Sequence, residues 1–137
     1  MDVRSWSPTA AANNAPPPDG WPENMAPSGV NDAAREMMAA LKRWYDRASA
    51  TLTSGGTADA QTLTYPVAPV SYNLGDCFTF FAGFTNTGAV SLNVNGLGDK
   101  PLRRGATSLT AGAIVAGQVV MAFYDGAQFQ VVAMAPP

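Results

Sequence analysis

Residues Pro16-Pro17-Pro18 stand inside the run Asn13-Asn14-Ala15-Pro16-Pro17-Pro18-Asp19-Gly20, and that run rules out a helix at the start of the chain. Each proline removes a backbone donor and pushes the residue before it toward extended conformations. Residues 1–29 are therefore expected to form an extended, low-charge arm rich in Pro, Ala and Asn. The arm nevertheless carries Trp6, Trp21 and Met25, whereas a flexible linker is poor in aromatic residues. So short a segment cannot bury tryptophan by itself. Two placements compete. The side chains either dock into grooves of a partner chain or fold back onto the chain's own helix. Docking is expected here, with Trp6, Trp21 and Met25 as the partner anchors.

Residues 30–48 are expected to form the one helix. Ser28 and Asn31 are candidate N-caps, and Asp32 then suits the positive end of the helix dipole. The run Asp32-Ala33-Ala34-Arg35-Glu36-Met37-Met38-Ala39-Ala40-Leu41-Lys42-Arg43-Trp44 consists largely of strong helix formers. Lys42, Arg43 and Arg47 gather toward the C-terminal end, where the dipole favours them. Val30, Ala34, Met37, Leu41, Trp44 and Ala48 follow the alternating four-and-three spacing of a heptad seam. This stripe either packs on the chain's own β domain or meets copies of itself around a common axis. In the second case Val30, Ala34, Met37, Leu41 and Trp44 are the oligomer contacts.

Residues 49–60 include Ser54-Gly55-Gly56-Thr57 and read as a linker. Residues 61–137 read as a small all-β domain. Thr62–Tyr65 and Cys77–Phe84 are expected strands. Val90, Leu92 and Val94 alternate with Ser91, Asn93 and Asn95, the pattern of a half-buried strand. Asn95-Gly96-Leu97-Gly98 is a turn, Lys100–Arg103 a short strand, and Ala113–Val115 leads into a strand over Gln118–Tyr124. Asp125-Gly126 signals a two-residue hairpin closed by a strand over Ala127–Met134. The fold class is thus mainly β with one N-terminal helix: an extended arm, a helix bundled in an oligomer, and a small antiparallel sandwich or barrel. A domain of this size is marginal alone, and oligomerisation would relieve that.

Composition removes most catalytic chemistry. The chain has no histidine, so Ser-His and Cys-His pairs and imidazole zinc ligands are absent. Cys77, the only cysteine, sits in the apolar run Cys77-Phe78-Thr79-Phe80-Phe81 and reads as a small buried hydrophobe. The carboxylates are scattered, without the dense alternating array of a calcium loop. No cofactor and no metal are expected, and no enzymatic activity. Charged residues make up only 13% of the chain, against about 25% in ordinary domains. A surface so poor in charge is weakly protected against association, which favours one covered by other chains.

Five basic residues face seven acidic ones up to Asp59, and three of each follow, so no basic footprint for nucleic acid exists. No apolar run reaches membrane-spanning length. Met1–Pro8 lacks the layout of a signal peptide. Gly96-x-Gly98 has no following helix and is no nucleotide fingerprint. Arg103-Arg104 reads as a solvated strand edge. Phe78, Phe80, Phe81, Phe84, Phe123, Tyr124 and Phe129 read as core, alternate members facing inward.

Two blocks stand out as longer patterns. One is Trp6-Ser7-x-Thr9-Ala10-Ala11-x-Asn13 followed by Ala26-Pro27-Ser28-Gly29-Val30-Asn31-Asp32-Ala33-Ala34-Arg35-Glu36-Met37-Met38-Ala39-Ala40. The other is Phe84-x-Asn86-Thr87-Gly88-Ala89-x-x-Leu92-Asn93-Val94-Asn95-Gly96-Leu97-Gly98 with Gly117-x-x-x-x-x-Phe123-Tyr124-Asp125-Gly126-x-x-Phe129-Gln130. In this order the first resembles the N-terminal segment of tailed-bacteriophage tail fibre proteins, and the second resembles a small β module of such fibres.

The resemblance implies a homotrimeric structural protein of the virion tail, present in the host cytoplasm during assembly. Its N-terminal segment would attach to other tail, collar or baseplate proteins. The sequence ends at Met134-Ala135-Pro136-Pro137, straight after the β module, without the long shaft and tip of such fibres. The expected readings are a minimal fibre, an adaptor for a longer fibre, or a fragment, with a short fibre or fibre adaptor preferred. The alternative is a module that binds a host-surface glycan or protein during adsorption, through loops around Asn86, Asn95 and Asp125. A surface-polysaccharide depolymerase, the third reading, lacks a carboxylate cluster.

Overall fold

The structure, a computed structural model, describes residues 2–132, and the chain divides into two units, one up to Tyr45 and one from Asp46 onward. Helix α1 spans Pro27–Ala48 and crosses that division. Eight strands follow: β1 Gly55–Gly56, β2 Ala60–Leu63, β3 Cys77–Phe81, β4 Val90–Val94, β5 Lys100–Arg104, β6 Thr107–Ser108, β7 Val119–Tyr124 and β8 Phe129–Val131. The protein is mainly β with one helix. Ala133 and Met134, expected to extend the last strand, lie outside the described residues.

The helix begins three residues earlier than its sequence pattern suggests. Proline suits the first helical position because its fixed φ is already helical and its missing N–H would be an orphan there. Pro27 takes that place, and the Gly29 N–H donates to the Ala26 carbonyl at 2.9 Å. Ser28 and Asn31 thus lie inside the helix, and Asp32 sits beyond its first turn. At the far end Thr51 Oγ1 donates to the Asp46 carbonyl at 2.9 Å, satisfying one of the last orphan acceptors.

The sheet runs β1-β2-β4-β5-β8-β7-β3, with β6 paired to β5. It is mixed rather than purely antiparallel, since β2–β4 and β5–β8 pair in parallel. Its core follows the period of two. Val90, Leu92 and Val94 of β4 and Val120, Ala122 and Tyr124 of β7 point inward. The fully buried Phe78, Phe80 and Phe129 join them. Phe129 meets Phe78, Tyr72 and Tyr124 edge-on, at centroid distances of 5.2–5.8 Å, geometry that aromatic quadrupoles favour. Phe81, Phe84 and Phe123, also expected in the core, are exposed instead. Phe81 and Phe123 follow or precede an inward neighbour on a pleated strand and must turn out.

The curled sheet has a seam, and residues 52–56 span it. On one side the Phe81 N–H donates to the Leu52 carbonyl and the Ser54 N–H to the Phe81 carbonyl, both at 2.8 Å. On the other, Gly55 and Gly56 pair with Thr62 and Gln61 of β2. The supposed linker is therefore a strand, hidden by glycines of poor β propensity. Buried Ser54 joins the two sides. Its hydroxyl donates to Gln61 Oε1 at 2.7 Å and accepts from the Gly83 N–H at 2.8 Å. Gln61 Nε2 reaches the carbonyls of Ala58 and Phe84. Gly83 is required here, because a Cβ would lie 2.1 Å from the Ser54 carbonyl oxygen.

Turns are fastened by side chains. Asn86, 2% exposed, donates to the Gly88 and Thr110 carbonyls and accepts from the Ile114 N–H. Asn95 exchanges two hydrogen bonds with the Tyr65 backbone. The Asp125 turn is longer than the expected two residues. Tyr124 pairs with Phe129, and the Asp125 carboxylate accepts from the Ala127 and Gln128 N–H groups and from Gln130 Nε2. The side chains nominated for host contact are thus occupied in holding the fold.

Two outcomes follow. Gly83→Ala should destabilise the β unit by about 1–3 kcal/mol through overpacking, read from the urea midpoint; an unchanged midpoint would refute the seam. The hydrogen bond from Gln130, then those from Gln128 and Ala127, hold Asp125 down to about 2 from its ordinary 3.8. A depressed folded pKa stabilises above the unfolded value and is lost as pH falls through the folded one. Carboxyl NMR should therefore show Asp125 titrating near pH 2, with its turn loosening only below about pH 4. A midpoint at the ordinary value, or no upward move in Gln130→Ala, would contradict this.

Candidate interaction surface of the arm and helix

The arm is folded rather than extended. Asp2 caps a 3-10 turn over Val3–Ser5, its carboxylate accepting from the Arg4 backbone N–H at 3.1 Å and pairing with the guanidinium at 2.8 Å. A second such turn covers Ala10–Ala12. Asn13 then ties the segment together. Its Oδ1 accepts from the Ser7 N–H at 2.8 Å and its Nδ2 donates to the Ser7 carbonyl at 3.0 Å. Its own carbonyl accepts from the Trp21 N–H at 2.9 Å. The chain turns tightly at buried Gly20, where a Cβ would fall 2.6 Å from the Ala15 backbone nitrogen and oxygen. One asparagine therefore fixes Ser7, next to Trp6, beside Trp21.

Trp6 and Trp21 line one pocket of about 180 Å³ with Ser7, Asn13, Asp19, Gly20 and Met37 of α1. The two indoles, fifteen positions apart in sequence, thus share a site with a helix side chain, and the arm folds back onto the helix of its own unit. Folding back does not remove them from solvent: Trp6 is half-buried and Trp21 is 41% exposed. Met25 is half-buried and is not among the lining residues. Asn13, which positions both tryptophans, carried no sequence signal beyond its place in the first of the two longer patterns, because its role rests on side-chain bonds spanning six residues.

The helix seam is divided by this arrangement. Met37 belongs to the pocket, and Ala33 and Ala40, one heptad apart, are buried. The remaining nominated contacts are open: Val30, Leu41 and Trp44 are exposed and Ala34 is half-buried. Met38 and Tyr45 are exposed as well. Ala34, Met38, Leu41 and Tyr45 follow a four-three-four spacing that puts them on one helix stripe, with Val30 and Trp44 along its border. The apolar stripe left open is therefore turned slightly from the expected seam. Glu36 and Arg43 form an ion pair at 2.7 Å, and that hydrogen bond holds the Glu36 carboxyl below its ordinary range. Lys42 lies over the Tyr45 ring at 5.2 Å.

A second apolar surface lies on the sheet. Phe81, Val119, Met121 and Phe123 are exposed, and Cys77 stands opposite Phe123. Burial raises the Cys77 thiol above its ordinary pKa, and its sulfur lies 3.7 Å from the Thr79 hydroxyl. A raised pKa leaves little thiolate, which is the opposite of an activated nucleophile. Among the described residues no group of His, Cys, Asp and Glu is placed to hold a metal, and no helix is long and apolar enough to cross a membrane. The chain matches no protein-family model, and no curated protein matches it significantly.

Asn13→Ala should free Ser7 and separate the indoles. In a Trp44→Phe background, fluorescence should shift to the red and acrylamide quenching should rise, while the unfolding midpoint of the β unit stays constant. Unchanged quenching would show that Asn13 does not hold the pocket.

Proposed function

We propose that this chain is a structural protein of a tailed-bacteriophage tail, a short homotrimeric fibre or fibre adaptor that works by association rather than by chemistry. The observation that carries this reading is the open stripe of α1, where Leu41 is 47%, Trp44 57% and Met38 71% exposed. Side chains of this size gain roughly 1.5–3 kcal/mol each when fully buried, and helices bearing such stripes bury them against one another. The low charge of the chain agrees with a surface covered by other chains, and the resemblance of the Trp6–Asn13 and Ala26–Ala40 blocks to tail fibre segments supplies the setting.

In this reading the folded arm, with Trp6 and Trp21 presented together over Met37, docks on a tail, collar or baseplate protein. Three arms on one trimer gain effective concentration for that docking, so modest contacts add up to firm attachment. Indoles held in place beforehand lose less freedom on binding than indoles on a loose strand.

Light scattering should report a trimer, and Leu41→Glu or Trp44→Glu should weaken it at least roughly tenfold, from the burial free energy of one such side chain. A monomer at tens of micromolar, or an association indifferent to both changes, would refute the stripe. Removing residues up to Ala26 should leave an oligomer that no longer joins tails; normal incorporation would sink the docking role.

A further inference from the structure

The pocket of the arm has a chemistry of its own. Trp6, Trp21, Met37 and Asp19 line it together with Ser7 and Asn13, in about 180 Å³. Asp19 and Trp21 flank buried Gly20, whose Cβ direction is taken up by the Ala15 backbone. One short stretch therefore supplies a carboxylate and an indole to the same cavity. Backbone bonds fix that stretch: the Asp19 N–H donates to the Pro16 carbonyl at 3.1 Å and the Trp21 N–H to the Asn13 carbonyl at 2.9 Å. Trp6 is set by its neighbour Ser7, which Asn13 holds through two bonds. Groups held this way lose little freedom when a ligand arrives.

The polar lining is unequal. Asn13 spends its side-chain oxygen and nitrogen on the Ser7 backbone, and the Ser7 hydroxyl accepts from the Thr9 N–H at 3.0 Å. Asp19 is exposed to solvent, and a carboxylate accepts at up to about four positions. No described lining residue is basic. Residues 1–29 carry three acidic side chains, Asp2, Asp19 and Glu23, against the single basic Arg4, which pairs with Asp2. Indole faces are negative through their quadrupole. The carboxylate and the rings of this pocket thus share one sign, and the complementary occupant is a cation.

We propose that the indole pair and Asp19 receive an arginine side chain projecting from the protein on which the arm docks. This names the partner's chemistry for the docking proposed above and rests on that reading. A guanidinium is planar and weakly hydrated, stacks on aromatic faces, and meets a carboxylate with two parallel N–H groups. Its aliphatic stem suits the adaptable thioether of Met37. The space equals about six waters at their share of liquid volume, room for one long side chain and not for a packed element. An ammonium fits less well, being a compact and strongly hydrated point charge. An anionic occupant would meet repulsion from Asp19.

The test is NMR of the indole N–H groups in the full chain, where Trp44, outside the pocket, is the internal reference. The probes are arginine, citrulline, lysine and norleucine, each capped as the N-acetyl methylamide. Arginine should shift the Trp6 and Trp21 signals, leave Trp44 in place and saturate at millimolar concentration. Citrulline, nearly the same shape without the charge, should bind at least roughly fivefold more weakly, from the loss of one cation–π contact and one charge-assisted bond. Added salt should weaken arginine and not citrulline. Asp19→Asn should weaken arginine about threefold and leave citrulline unchanged. Citrulline or norleucine binding as tightly as arginine, or Trp6 and Trp21 signals that arginine does not move, would overturn the proposal. Lysine binding as tightly would overturn its choice of a guanidinium. A chain that binds arginine yet joins tails without residues up to Ala26 would lose the docking reading and keep the arginine site. A chain that needs those residues but ignores arginine would lose only the partner chemistry named here.

Discussion

The hydroxyl of Ser54 is the hinge pin of the β unit. It stands between Gln61 on β2 and the Gly83 backbone beyond β3, and it bonds to both. Without such a link, a sheet this small leaves two open edges around an incompletely enclosed core. Edges of that kind cost twice, through unpaired backbone groups and through readiness to pair with other chains. Residues 52–56 answer both problems by pairing with β3 and then with β2. The buried aromatic cluster around Phe129 depends on that enclosure for its exclusion from water.

The same economy of means recurs at the turns. Asn13, Asn86, Asn95 and Asp59 each bind backbone groups of another segment, and Asp125 binds those of its own turn. Asp59 accepts from the hydroxyl and N–H of Thr87 and from the Gly88 N–H, and these bonds, led by the Thr87 hydroxyl, hold its carboxyl below the ordinary range. A short amide or carboxylate replaces the long packed loop that a larger protein would use. This accounts for a composition rich in Asn, Ser and Thr and poor in Lys and Glu. Several of those polar residues act as fasteners, with Ser54 and Asn86 fully inside.

Several of these features were legible beforehand for clear physical reasons. The helix announced itself through propensity and heptad spacing, and β4 through strict alternation. Helix and sheet proportions followed. The seam strand was not legible, since Ser54-Gly55-Gly56 has the composition of a linker and becomes a strand only because two edges need it. The parallel pairings were equally hidden, because strand direction depends on chain return paths rather than on local pattern. Trp6, Trp21 and Met37 were individually visible as anchors or contacts. Their meeting in one pocket depends on Asn13 and Gly20, whose roles are tertiary. Met38 and Tyr45 lay outside the expected seam because a heptad template fixes one stripe, while the arm takes part of it and leaves the next one open.

The position of the seam strand has a mechanical consequence. It follows the helix directly, with Thr51 capping Asp46 and Leu52 already bonded to Phe81. Any pull transmitted along α1 enters the β unit through a strand bonded on both flanks. The route from helix to sheet therefore runs through the place where the sheet is sewn shut.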